Sequence, residues 1–155
     1  IEAEYVRTGK VKIVFYDYPI PAHGLPAVIS HEAAHCAGEQ DRYWEMYAAI
    51  FARQDEIAGI AAQDEDAARA LLVVIGLDAG VDRDALAACL EGGRYRPVLV
   101  GLADAAQAKG VSMTPTLIVA GASGQEVVPG YVSFDDLKPY IERALGGGTP
   151  GAGSE

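Results

Sequence analysis

Apolar positions recur with helical spacing through the middle of the chain and with strand-like composition on either side of it. Residues 10–18 (KVKIVFYDY) are β-branched and aromatic, which predicts a strand. Before them, residues 1–8 read as the last turns of a helix, ended by Gly9. Pro19, Pro21, Gly24 and Pro26 predict a rigid loop. From 27 to 110 the pattern is alanine-rich and helical. Asp41 is placed to cap a helix with Tyr43, Trp44, Tyr47, Ile50 and Phe51 on one stripe. Residues 63–76 predict another helix, and Asp82 can cap one presenting Leu86, Cys89 and Leu90. Gly92 and Gly93 break that helix, and a further one runs over 97–109 to Gly110.

The period then changes. Residues 116–120 (TLIVA) predict a strand, 121–124 a turn, and 126–128 the return strand of a hairpin. Ser133 followed by Asp136 resembles a capping box, opening a helix with Leu137, Tyr140, Ile141 and Leu145 at helical spacing. Residues 146–155 (GGGTPGAGSE) read as a flexible tail. The order is helix end, strand, helical block, strand, strand, helix. A strand-helix-strand half and a strand-strand-helix half, with helices between them, predict an α/β domain whose first strand would precede Ile1.

Composition narrows the function. At 155 residues the chain suits one domain. Twelve Lys and Arg against 22 Asp and Glu leave a net charge of −10, which argues against a nucleic-acid partner. The longest apolar run, 71–77, falls far short of the roughly 20 residues that span a bilayer. Cys36 and Cys89 are the only cysteines and do not form a CxxC. They are either one long-range disulfide or two buried thiols.

Two constellations carry chemistry. His31-Glu32-Ala33-Ala34-His35 is an HExxH, which on a helix sets two histidines on one face to hold zinc, with Glu32 as general base. Gly38 and Asp41 extend it towards HExxHxxGxxD, and Met113 loosely resembles the Met-turn of such proteases. Only about thirty residues and one strand precede the motif, too little for a metzincin framework, and a solvated helix face explains it as well. The second constellation is residues 111–116 (VSMTPT), a proline at a strand's start. A cis bond there turns the chain and leaves the preceding backbone open to an extended peptide; a trans proline at a first strand position is the plain alternative.

The run from Glu32 to Tyr47, then IFARQ at 50–54, CLEGGRY at 89–95, Gly110-Val111 and Thr114-Pro115-Thr116 together resemble the DsbA-like thioredoxin-fold thiol-disulfide oxidoreductases. The residues Tyr16 to Pro21 and His23 resemble the same family's second strand and loop. The resemblance extends from Ile1 to about Leu145. It implies a thioredoxin-like α/β fold over 1–145, with a helical subdomain inserted at about 26–110, the first strand missing, and the tail at 146–155.

It also implies a role for particular residues. Pro115 would be the family's cis-proline and Thr114 the residue before it, both holding substrate. Cys36 and Cys89 occupy positions where some members carry an extra structural disulfide. The family's reacting CxxC has no counterpart here and is expected upstream of Ile1, so no catalytic residue is assigned within the chain. No cofactor and no metal are implied. The implied partners are unfolded or reduced exported proteins and a membrane redox partner that reoxidises the enzyme, and the implied compartment is extracytoplasmic. Oligomeric state is left open. The alternatives are a redox-silent thioredoxin-like peptide-binding domain, with the serine-bearing glutathione-dependent branch as a variant, and a zinc metalloprotease using His31, Glu32 and His35.

Overall fold

The computed structural model describes residues 1–20, 23–61, 63–122 and 124–146. Pro21, Ser123 of the expected hairpin turn and residues 147–155 of the expected tail lie outside the described residues. The chain divides into two compact units, residues 16–109 and residues 1–15 with 110–155.

The first unit is helical: α1 (Gly24–Gly38), α2 (Tyr43–Ala52), α3 (Gln54–Ala58), α4 (Glu65–Asp78), α5 (Arg83–Gly92) and α6 (Arg96–Ala108). Its core gathers Ile29, Ala33, Cys36 and Ala37 of α1 with Met46, Ile57, Leu72, Ile75, Leu86 and Leu90. The small residues on α1 let its neighbours approach closely, and α1 packs on α2, α4 and α5. Gly76 serves the same end on α4, where a Cβ would collide with the buried Leu86 side chain. Asp64 and Asp82 accept from Ala67 N and Ala85 N at 3.0 and 2.9 Å, satisfying free N–H groups at the starts of α4 and α5. Gly93, with φ 56°, ends α5.

Two expectations need correction here. Asp41 does not cap α2; it sits in the preceding turn at φ 58°, and Arg42 precedes the helix without a side-chain cap. Nor does the aromatic stripe form the buried face of α2. Met46 is its buried residue, while Trp44 and Phe51 are exposed.

The second unit opens with a π-helical turn, Glu2–Val6, in which Arg7 N–H donates to the Glu2 carbonyl at 2.9 Å. Two strands, β1 (Thr116–Gly121) and β2 (Gly124–Pro129), pair antiparallel with Thr116 opposite Pro129 and Ile118 opposite Val127. The last helix is α7 (Phe134–Ala144), capped by Ser133 Oγ accepting from Asp136 N at 3.1 Å. Strand alternation sends Leu117 and Val119 into a cluster with Tyr5, Leu137 and Ile141, and leaves Ile118 and Val127 exposed on the other face. Gly121 lets β1 end against the Ala144 carbonyl, where a Cβ has no room.

The strand expected over 10–18 does not form among the described residues. A strand requires a neighbour's ladder, and the two-stranded sheet pairs β1 with β2 alone. Ile13, Val14 and Tyr16 are exposed instead. The result is a helix-rich α/β protein with a small sheet. Among the described residues no helix is long and apolar enough to cross a membrane.

Candidate functional site

The sheet unit presents a turn at residues 112–115, immediately before β1. Ser112, Met113, Thr114 and Pro115 are all exposed. The Thr114–Pro115 peptide is cis. Two hydrogen bonds fix the turn from either side. Thr116 Oγ1 donates to the Met113 carbonyl at 2.7 Å. Gly130 N–H, just past β2, donates to the Pro115 carbonyl at 2.8 Å, with Gly130 at φ 78°. Among the described residues no backbone hydrogen bond engages Thr114. Thr114 is exposed just before a paired strand, and an added extended chain needs backbone groups that are not already bonded.

In the helical unit Cys36 of α1 and Cys89 of α5 are joined, with Cα atoms 5.9 Å apart. Both are buried, at 2% and 3% exposure, so neither sulfur is open to in-line attack by a second thiolate. No described residue carries a free thiol.

The HExxH segment lies on α1, but its three side chains part company. His31 and His35, one turn apart, both turn to the buried Asp17. His31 Nδ1 meets one Asp17 carboxylate oxygen, and His35 Nε2 meets the other at 2.7 Å. Burial pushes the Asp17 carboxyl up, but the hydrogen bonds and charges of the two histidines outweigh it, and its pKa is lowered. Tyr95 stacks on His35 with centroids 5.0 Å apart, and Tyr43 meets its edge at 5.6 Å. Burial, with the Asp17 charge behind it, raises the Tyr43 pKa.

Glu32 points elsewhere. At 1% exposure it accepts from the Arg96 guanidinium through both oxygens, at 3.2 and 2.9 Å. Arg96 also reaches Glu65 at 2.7 Å, and its pKa is raised, first by the bond to Glu32 and then by that to Glu65. The zinc-protease alternative therefore fails on its own residues, because the proposed general base is locked in a buried ion pair. No group of three or more His, Cys, Asp or Glu among the described residues is arranged to hold a metal.

A family model described as Thioredoxin matches residues 1–143. The chain belongs to the thioredoxin family. Comparisons with curated proteins and with solved structures return no match. The thioredoxin match takes in both compact units, the bonded cysteines and the Thr114–Pro115 turn. Sequence reading located that turn but missed Asp17 and Arg96. Asp17 is 14 and 18 positions from its histidines, and Arg96 is 64 from Glu32, so no local pattern links them. Periodicity gave no warning, since every HExxH sets its Glu one position past the first His; only the tertiary contact with Arg96 takes Glu32 away.

Proposed function

We propose that this chain is the substrate-binding and helical portion of a DsbA-like thiol-disulfide oxidoreductase acting on exported proteins, with its reacting CxxC on a segment upstream of Ile1. Membership of the thioredoxin family supports the chemical class. The observation that carries the reading is the exposed Thr114–Pro115 turn, with the Thr114 backbone unengaged beside the first strand of the sheet. In this reading the helices over about 26–110 are a subdomain inserted into a thioredoxin-like domain whose first strand lies upstream. Thr114 and Pro115 hold the substrate chain, and Cys36–Cys89 is a structural bridge. A disulfide of that kind persists outside a reducing cytosol, which supports an extracytoplasmic location and reoxidation by a membrane partner.

A second reading is favoured by one observation. The only two cysteines are buried and bonded to each other, so these residues offer no thiol for exchange. The chain would then be a redox-silent thioredoxin-like peptide-binding domain.

Intact mass of the natural protein, before and after reduction and alkylation, separates the two. Alkylation of two cysteines beyond Cys36 and Cys89, together with catalysed oxidation of a reduced substrate protein, is the expected result. Alkylation of those two alone, with no exchange activity, would establish the redox-silent domain.

A further inference from the structure

The aromatic row of α2, which Met46 keeps out of the core, continues into two rings outside that helix. Trp44 is the chain's single Trp and is 55% exposed. Tyr43 meets it edge to face, with centroids 5.1 Å apart. His35 of α1 meets Tyr43 at 5.6 Å, and Tyr95 stacks on His35 at 5.0 Å with the planes 22° apart. Each separation is that of rings in direct contact, so one π path runs from the exposed indole to a half-buried phenol. All four rings belong to the helical unit. The far end of the path holds a proton acceptor. Tyr95 Oη donates to Glu39 Oε1 at 2.7 Å, and Arg94 Nη1 holds the same oxygen at 3.1 Å. A phenol that loses an electron becomes a strong acid, and a carboxylate already bonded to its hydrogen takes the proton without rearrangement. Tyr43 is held in the opposite sense. Burial and then the Asp17 charge raise its pKa and keep its proton in place, which suits a relay rather than an end point.

We propose that this row carries a one-electron oxidising equivalent from Trp44 to Tyr95. A radical oxidant of the azide class takes an electron from Trp44 and becomes the azide anion, while the indole N–H proton goes to water. One electron then passes from Tyr95 across His35 and Tyr43 to the indolyl radical. The Tyr95 hydroxyl proton moves to Glu39, and the indole nitrogen regains a proton from water. Trp44 is restored, a phenoxyl radical stands at Tyr95, and Glu39 returns its proton to solvent. Oxidative damage is thereby moved off the chain's one indole.

Pulse radiolysis of the folded protein in azide solution tests this by following indolyl and phenoxyl absorbance together. In the parent, phenoxyl is expected to grow as indolyl decays, at a rate independent of protein concentration. Tyr95→Phe keeps the ring on His35 but removes the hydrogen, and Glu39→Gln keeps an acceptor that cannot take the proton. Each is expected to slow the indolyl decay by at least about tenfold, the smaller end of what a positioned base supplies. The Glu39→Gln rate is also expected to rise with buffer base, which a merely structural loss would not produce. Tyr131→Phe, in the other unit, is the control and should match the parent. Circular dichroism confirms that each variant is folded. An unchanged decay in Tyr95→Phe would overturn the route, and an unchanged decay in Glu39→Gln would overturn the role of Glu39. A parent rate that rises with protein concentration would overturn transfer within the molecule.

Discussion

Asp17 joins the segment before α1 to the helix itself, through His31 and His35. Its lowered pKa has a consequence of definite sign. A carboxylate whose folded pKa lies below its unfolded value, ordinarily about 3.9, adds stability above that value and loses it as pH falls through the folded one. Asp17→Asn is expected to cost about 1–3 kcal/mol at neutral pH and to flatten the acid limb of the stability profile. Urea unfolding at a series of pH values checks this, and an unchanged acid limb would remove Asp17 from the account. Among the described residues Glu32 is the other buried carboxylate, and its partner Arg96 keeps some solvent on one side. Glu32→Gln is therefore expected to destabilise by about 2–3 kcal/mol, towards the low end for a broken buried pair. Chemical denaturation measures it, and a change within error would mean that Arg96 finds another partner at no cost. The HExxH motif was plain in the sequence, yet its meaning depended on these two distant residues. One pairs with the histidines and the other takes the glutamate away.

Local chemistry made several helix ends readable, because a cap acts over a few residues. Asp82 and Ser133 accept from the N–H groups three positions on, as their spacing implied. Failures came where an element depends on a partner. Residues 10–18 have strand composition but no ladder among the described residues, and the α2 aromatics pattern like a core stripe although Met46 takes the interior. Two helical glycines put tertiary context against propensity directly. Gly101 in α6 has nothing near its missing Cβ, so Gly101→Ala is expected to stabilise by up to about 1 kcal/mol. Gly76 in α4 faces Leu86, so Gly76→Ala is expected to cost about 1–3 kcal/mol by overpacking, despite the same gain in propensity. Thermal unfolding of the two variants tests the pair, and shifts of the same sign would refute the contrast.

Across the whole chain, each compact unit has its own apolar cluster, and that of the helical unit is much the larger. The Cys36–Cys89 bond lies wholly within the helical unit and closes a loop with a sequence separation of 53. Such a loop is worth about 4 kcal/mol by chain entropy, so Cys36→Ala/Cys89→Ala is expected to lower the unfolding free energy of that unit by about 2–4 kcal/mol. Denaturation followed by far-ultraviolet circular dichroism measures it, and a loss under about 1 kcal/mol would show that the packing holds α1 to α5 unaided. The same bond has a covalent consequence. The segment between α3 and α4 falls inside the closed loop. A protease that cuts the backbone there leaves a single molecule under oxidising conditions and two polypeptides once the sulfurs are reduced. A nicked population would thus run as intact protein on a non-reducing gel and declare itself only after thiol is added.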